Sequence, residues 1–193
     1  SINCLKNDFG DDGLATLLTA IEGTSVRSLC GLTEGQTVAN FSGQTLGPFD
    51  CKILAAEFEF RGFIAALNSL RCGNNPGMVG ELDEYGRLKT PDAHAEVFKQ
   101  LTDSLKTSQV TEVDFSSCGI GAVSVNHLSD WVRDATAGIV SVNCLANHFG
   151  DEGLATLLTA IEGTSVRSLC GLTEDKRRQI SPGRVSVQST ARS

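Results

Sequence analysis

The sequence predicts an α/β repeat array in which each unit runs strand, turn, helix, turn, and three observations carry that reading. Residues 1–34 return 140 positions later as residues 141–174, changed only as Ile2/Val142, Lys6/Ala146, Asp8/His148 and Asp12/Glu152. A single globular fold has no physical need to repeat a segment so closely, whereas stacked units do. Within each copy a short alternating apolar run gives way to apolar residues at helical spacing. Segments between the copies repeat the same switch.

In the second copy, Ile139, Val142 and Cys144 are the apolar positions of a strand, with Val142 and Cys144 on one face. Asn147 suits the exit from that strand, because its amide can satisfy backbone groups of the turn. Asp151 and Glu152 then fall in a first helical turn, where negative charge favours the helix dipole. Leu154, Leu157, Leu158 and Ile161 form an amphipathic stripe. Gly163 ends the helix as a permissive C-terminal residue.

The other units follow the same order. Val110, Val113, Phe115, Cys118 and Ile120 repeat the strand spacing, with Cys118 in the asparagine slot. Their helix uses Val125, Leu128, Val132 and Ala135, with Trp131 on its flank. Leu67, Leu70, Cys72 and Asn75 give another strand and turn. Its helix is delayed until Thr90-Pro91-Asp92, an N-cap followed by proline at the first helical position. Val97, Phe98, Leu101 and Leu105 make its apolar face. Val26 and Leu29 begin a less regular strand, in which Gly31 takes an inward slot, and Gly47-Pro48 opens a helix through about Phe60. Strand starts at 26, 67, 110, 139 and 166 define about five units, two of them long.

This pattern resembles the ribonuclease-inhibitor type of leucine-rich repeat, whose unit reads LxxLxLxxNxLGDxGxxxLxxAL. The match is fullest from Ile139 to Ile161, through Asn147, Phe149, Gly150, Asp151, Gly153, Leu157 and Ala160. The first copy matches equally, and residues 110–120 match well. Residues 26–109 depart from it, with roughly a dozen extra residues in each long unit. The resemblance implies a curved horseshoe arc, with parallel strands on the concave face and helices on the convex face.

Bulk properties are ordinary: 193 residues, 40% hydrophobic, 20% charged, net charge −7. No apolar run approaches the roughly 20 residues of a membrane span, and no signal peptide is visible. Residues 1–174 read as the repeat domain and residues 175–193 as a basic, disordered tail of net +4, which leaves the rest at −11. So acidic a body argues against nucleic acid as a partner. Arg177-Arg178-Gln179-Ile180-Ser181 loosely resembles a basic-directed phosphorylation site. Seven cysteines at repeat positions, with no CxxC spacing, behave as small hydrophobes; they point to reduced thiols, no metal and a cytoplasmic setting.

The expected function is non-catalytic protein binding, with no cofactor. Applied to this chain, the repeat places Asn3, Arg27, Ser28, Cys30, Asn68, Arg71, Glu112, Asp114, Asn143 and Arg167 projecting from the concave sheet. Two polar insertions, residues 31–43 and 76–89, extend the candidate surface. In the second, Tyr85-Gly86 suits a hairpin turn, and Tyr85 and Arg87 are its candidate contacts. His94, His127 and His148 accompany no nucleophile motif, and Gly119 and Gly121 fit a tight turn better than a phosphate loop. Neither end reads as a polar cap. The array is therefore expected to continue in a longer chain or to have its ends covered by another subunit. The near-identical segments also permit exchange between chains. A homo-oligomer is thus the second expectation.

Overall fold

Short parallel strands alternate with helices, and the reason lies in what each segment can bury. The computed structural model describes residues 1–60 and 63–171, without the side chains of residues 60, 63 and 64. The basic tail and residues 172–174 of the second copy lie outside the described residues. The elements are α1 (Gly10–Ile21), β1 (Val38–Asn40), α2 (Pro48–Phe60), a 3₁₀ turn (Phe63–Ala66), β2 (Ser69–Arg71), β3 (Glu81–Leu82) and β4 (Leu88–Thr90). They continue with α3 (Ala95–Leu105), β5 (Glu112–Asp114), α4 (Ala122–Asp134), β6 (Ser141–Asn143) and α5 (Gly150–Ile161). The result is a mixed α/β structure with a four-stranded parallel sheet, ordered β1-β2-β5-β6, and no closed barrel.

The sheet register aligns Ala39, Leu70, Val113 and Val142 across the four strands. All four are buried beneath the helices. Helix α3 packs between α2 and α4, and α5 packs on α4. Phe98 of α3 meets Phe115 edge-to-face at 5.2 Å, inside a core that also holds Leu101, Leu105, Leu128 and Val132. Trp131, expected on the flank of its helix, is fully buried in this core.

Three further expectations change. The strand expected from residue 26 does not enter the sheet; β1, within the expected 31–43 loop, takes that place because Ala39 supplies the inward side chain. Residues 28–31 instead run beside the first copy's strand, joined by Ile2 N–H to Ser28 O (2.9 Å), Cys4 N–H to Leu29 O (2.8 Å) and Gly31 N–H to Ile2 O (2.8 Å). Ser28 and Cys30, expected to project, are buried. The helix expected from Thr90-Pro91 starts at Ala95, since Thr90 belongs to β4. Asp92 caps a neighbour: its carboxylate accepts from Gly121 N–H (2.8 Å), Val123 N–H (2.7 Å) and Ser124 N–H (3.2 Å) at the start of α4. Finally, only Leu157 of the α5 stripe is buried, while Leu154 and Leu158 are exposed.

One interaction recurs at the exits of β2 and β6. Asn75, fully buried, donates from Nδ2 to Phe41 O (3.0 Å) and Cys72 O (2.7 Å), and its Oδ1 accepts from Leu46 N–H (3.0 Å). Asn147 donates to Phe115 O (2.8 Å) and Cys144 O (3.0 Å) and accepts from Cys118 N–H (3.1 Å) and Ile120 N–H (3.0 Å). Each amide thus closes its own turn and ties it to the preceding strand. Cys118 occupies the same slot, its thiol pointing to Cys72 O at 3.1 Å. The residue just before the slot is left-handed every time: Lys6 (φ 62°), Gly43 (65°), Asn74 (59°), Ser117 (50°) and Ala146 (55°).

Asn75→Ala leaves buried carbonyls and an N–H without partners, and should cost about 2–4 kcal/mol in denaturant unfolding. A loss below about 0.5 kcal/mol would show that water replaces the amide. Ala146→Gly should instead stabilise by roughly 0.5–1 kcal/mol, because it relieves a left-handed alanine. No gain, or a loss, would mean that the turn carries no such strain.

Candidate binding surface

On the sheet face opposite the helices, strand alternation presents two rows, polar except for Val38, in which Ser69 and Ser141 are buried. Asn40, Arg71, Asp114 and Asn143 align in one, and Val38, Ser69, Glu112 and Ser141 in the other. Arg71, Glu112, Asp114 and Asn143 are therefore brought together as expected, while Asn40 was missed. The signal for it was present: Val38, Ala39, Asn40 and Phe41 alternate, but Ala39 is too small to register as an inward hydrophobe.

The rows differ in how far they are satisfied internally. Asp114 Oδ1 accepts from Asn143 Nδ2 (3.0 Å), Ser116 N–H (3.0 Å) and Ser116 Oγ (2.7 Å), so this carboxylate is held in place. Arg71 and Glu112 are half-buried and form no ion pair among the described residues. A hollow of about 20 Å³ lies among Ser69, Arg71, Glu112, Asp114 and Ser141, room for one water and not for an organic ligand.

The remaining expected residues lie apart from these rows. Asn3 is bridged to Cys30 outside the four-stranded sheet. Arg27 folds back, donating to Thr24 O (2.7 Å) and Val26 O (2.9 Å), and Arg167 repeats that pattern at 3.4 Å and 3.2 Å. Asn68 is exposed just ahead of β2. Tyr85 and Arg87 sit on the β3–β4 hairpin, where Asp83 Oδ1 accepts from both of their N–H groups and Gly86 turns at φ 75°. Tyr85 is 75% exposed, with the Arg87 guanidinium 5.7 Å from its ring centre.

This second insertion is more than a decoration. Its base buries Met78 and Val79 completely. It also approaches Gly119 so closely that a Cβ there would lie 2.6 Å from Pro76 O and 2.7 Å from Gly80 N. The hairpin is thereby mounted on the same scaffold as the sheet. A mainly apolar groove of about 360 Å³ runs beneath it, lined by Leu46, Pro76, Gly80, Leu82 and His94.

Several groups with acid–base or nucleophilic potential are buried, while Cys170 and His148 are exposed. Burial pushes the Cys118 thiol up to about 12 and that of Cys144 to about 11, so both stay protonated near neutrality. Ser124 Oγ, His127 Nε2 and Trp131 Nε1 on α4 are buried without hydrogen-bond partners, and the serine and histidine do not bond each other. No group of three His, Cys, Asp or Glu among the described residues is arranged to hold a metal ion. No described helix is long and apolar enough to cross a membrane. No known family model matches the chain, and no curated protein is similar to it.

Sequence reasoning also missed Glu57, a buried carboxylate of α2 that accepts from Leu29 N–H at 2.5 Å and so pins residues 28–31 beside α2. Desolvation pushes its pKa above the ordinary 4.5, and hydrogen bonds from Leu29, Ser28 and Cys30 pull it back only in part. The folded protein therefore holds this proton more tightly than the unfolded chain does. That contribution to stability is complete below pH 4.5 and is lost as pH rises through the folded value. Relative to Glu57→Gln, the wild-type protein should lose stability as pH is raised from about 4.5 toward neutrality, read from denaturant midpoints. A difference that stays level, or rises with pH, would contradict the assignment.

Proposed function

We propose that this chain is a leucine-rich-repeat solenoid of the ribonuclease-inhibitor type that works as a non-catalytic, cytoplasmic protein-binding scaffold. The recurring asparagine slot, the left-handed residue before it and the parallel strands with intervening helices support the repeat reading. The binding reading is carried by one observation: Arg71 and Glu112 stand half-buried on the sheet face without ion-pair partners among the described residues, beside an Asp114–Asn143 pair already fixed by internal hydrogen bonds. A rigid face with fixed acceptors and available charges suits a polar protein surface. The hollow there is too small for a small-molecule ligand. Tyr85 and Arg87 add an aromatic and a cation on a braced turn, the residue types that dominate binding hot spots.

The test is quantitative affinity capture with the wild-type chain, Arg71→Ala/Glu112→Ala, and Tyr85→Ala/Arg87→Ala, all checked for native circular dichroism. Proteins that bind through this surface should be retained by the wild-type chain and reduced at least about tenfold by the sheet variant. An identical captured set for all three chains would remove the proposal.

A further inference from the structure

The two copies of the duplicated segment fold alike but bury different sides of the same helix, about 100° apart. In the second copy α5 buries Gly153, Leu157 and Ala160. That side faces α4, since a Cβ on Gly153 would meet Val125 Cγ1 at 2.9 Å. The equivalent residues of α1 are Gly13 and Leu17, both half-buried, and Ala20, which is exposed. In the first copy, by contrast, α1 buries Leu14 and Ile21. Its Leu14 and Leu18 line a groove with Lys52, Ala55 and Ala56 of α2. Asp11 pairs with Lys52 at 2.5 Å, and Phe9 meets Phe49 edge-to-face at 5.0 Å. The matching residues of α5, Leu154 and Leu158, are 42% and 45% exposed.

Each helix therefore leaves partly open the side that its twin uses, with Leu17 of α1 and Ile161 of α5 half-buried against the core. Because residues 13–34 and 153–174 are identical, competence shown by one copy belongs to the other. The Leu154/Leu158 side is the one whose first-copy counterpart, Leu14 and Leu18, faces α2 across a groove. The Leu17/Ala20 side is the one that packs onto a preceding helix, as α5 packs onto α4.

We propose that these open sides join, so that α5 of one chain stacks on α1 of a second copy of the same chain. The occupant is a second copy because that copy presents a side whose α5 counterpart already packs onto a preceding helix. The contact pairs two different surfaces, so it is heterologous, and its repetition gives a linear assembly rather than a closed dimer. It leaves the sheet face open, so its success or failure is independent of the function proposed above.

The experiment is light scattering on the 193-residue chain across a wide concentration range at physiological salt. Average mass should climb with concentration past that of a dimer. Leu154→Asp/Leu158→Asp and, separately, Ala20→Arg alter only exposed residues, and each should leave a monomer at concentrations where the wild-type chain associates. Mixed together, the two variants should stop at a dimer, because each retains one competent end. A wild-type chain that stays monomeric throughout overturns the proposal. So does association that survives either variant, or a mixture that stays monomeric or grows beyond a dimer.

Discussion

A buried turn must satisfy its own backbone, and the recurring strand-exit amide meets that need in this protein. After each strand the chain reverses through a left-handed residue, which turns carbonyl groups inward where no strand or helix partner exists. Asn75 and Asn147 meet those carbonyls with one amide and use their oxygen for N–H groups of the preceding unit. The same side chain therefore solves a local problem and fixes the distance between neighbouring units. An unsatisfied buried group costs about 1–3 kcal/mol, the scale of what each amide prevents. Cys118 fills the slot with a weaker donor, its thiol pointing to Cys72 O.

With the turns fixed, the sheet rows follow. A parallel register with side chains alternating at period two sends Ala39, Leu70, Val113 and Val142 to the helices and Asn40, Arg71, Asp114 and Asn143 to the opposite face. The surface is polar because its apolar complement was consumed by the core. The long insertion between β2 and α3 reinforces this arrangement. It buries Met78 and Val79, lends Asp92 to the start of α4 and carries Tyr85 outward on a turn held by Asp83.

The duplicated segment after each copied helix pairs alike in both places. Asn3 bridges Cys30 as Asn143 bridges Cys170, and Ile2 N–H reaches Ser28 O as Val142 N–H reaches Ser168 O, each at 2.9 Å. In the first copy Glu57 of α2 also accepts from Leu29 N–H. Residues 31–37 then lead to β1. Identical sequence thus has two surroundings: residues 26–31 lie beneath α2, whereas the equivalent residues after α5 follow β6 at the sheet edge.

The sequence by itself determined the unit. Apolar spacing and the glycine and asparagine positions located α1, α4 and α5 and the strands holding Leu70, Val113 and Val142, because each signal acts within one turn of chain. It also placed Arg71, Glu112, Asp114 and Asn143 on one face, since alternation along a strand needs no tertiary information. Only the tertiary structure decided that Ala39 rather than Leu29 enters the sheet, because that depends on which segment lies beside β2. Only it decided that Asp92 caps α4 instead of its own helix, and that α1 and α5 bury different sides. Which side of an amphipathic helix is covered depends on its neighbour, and a neighbour is a property of the fold.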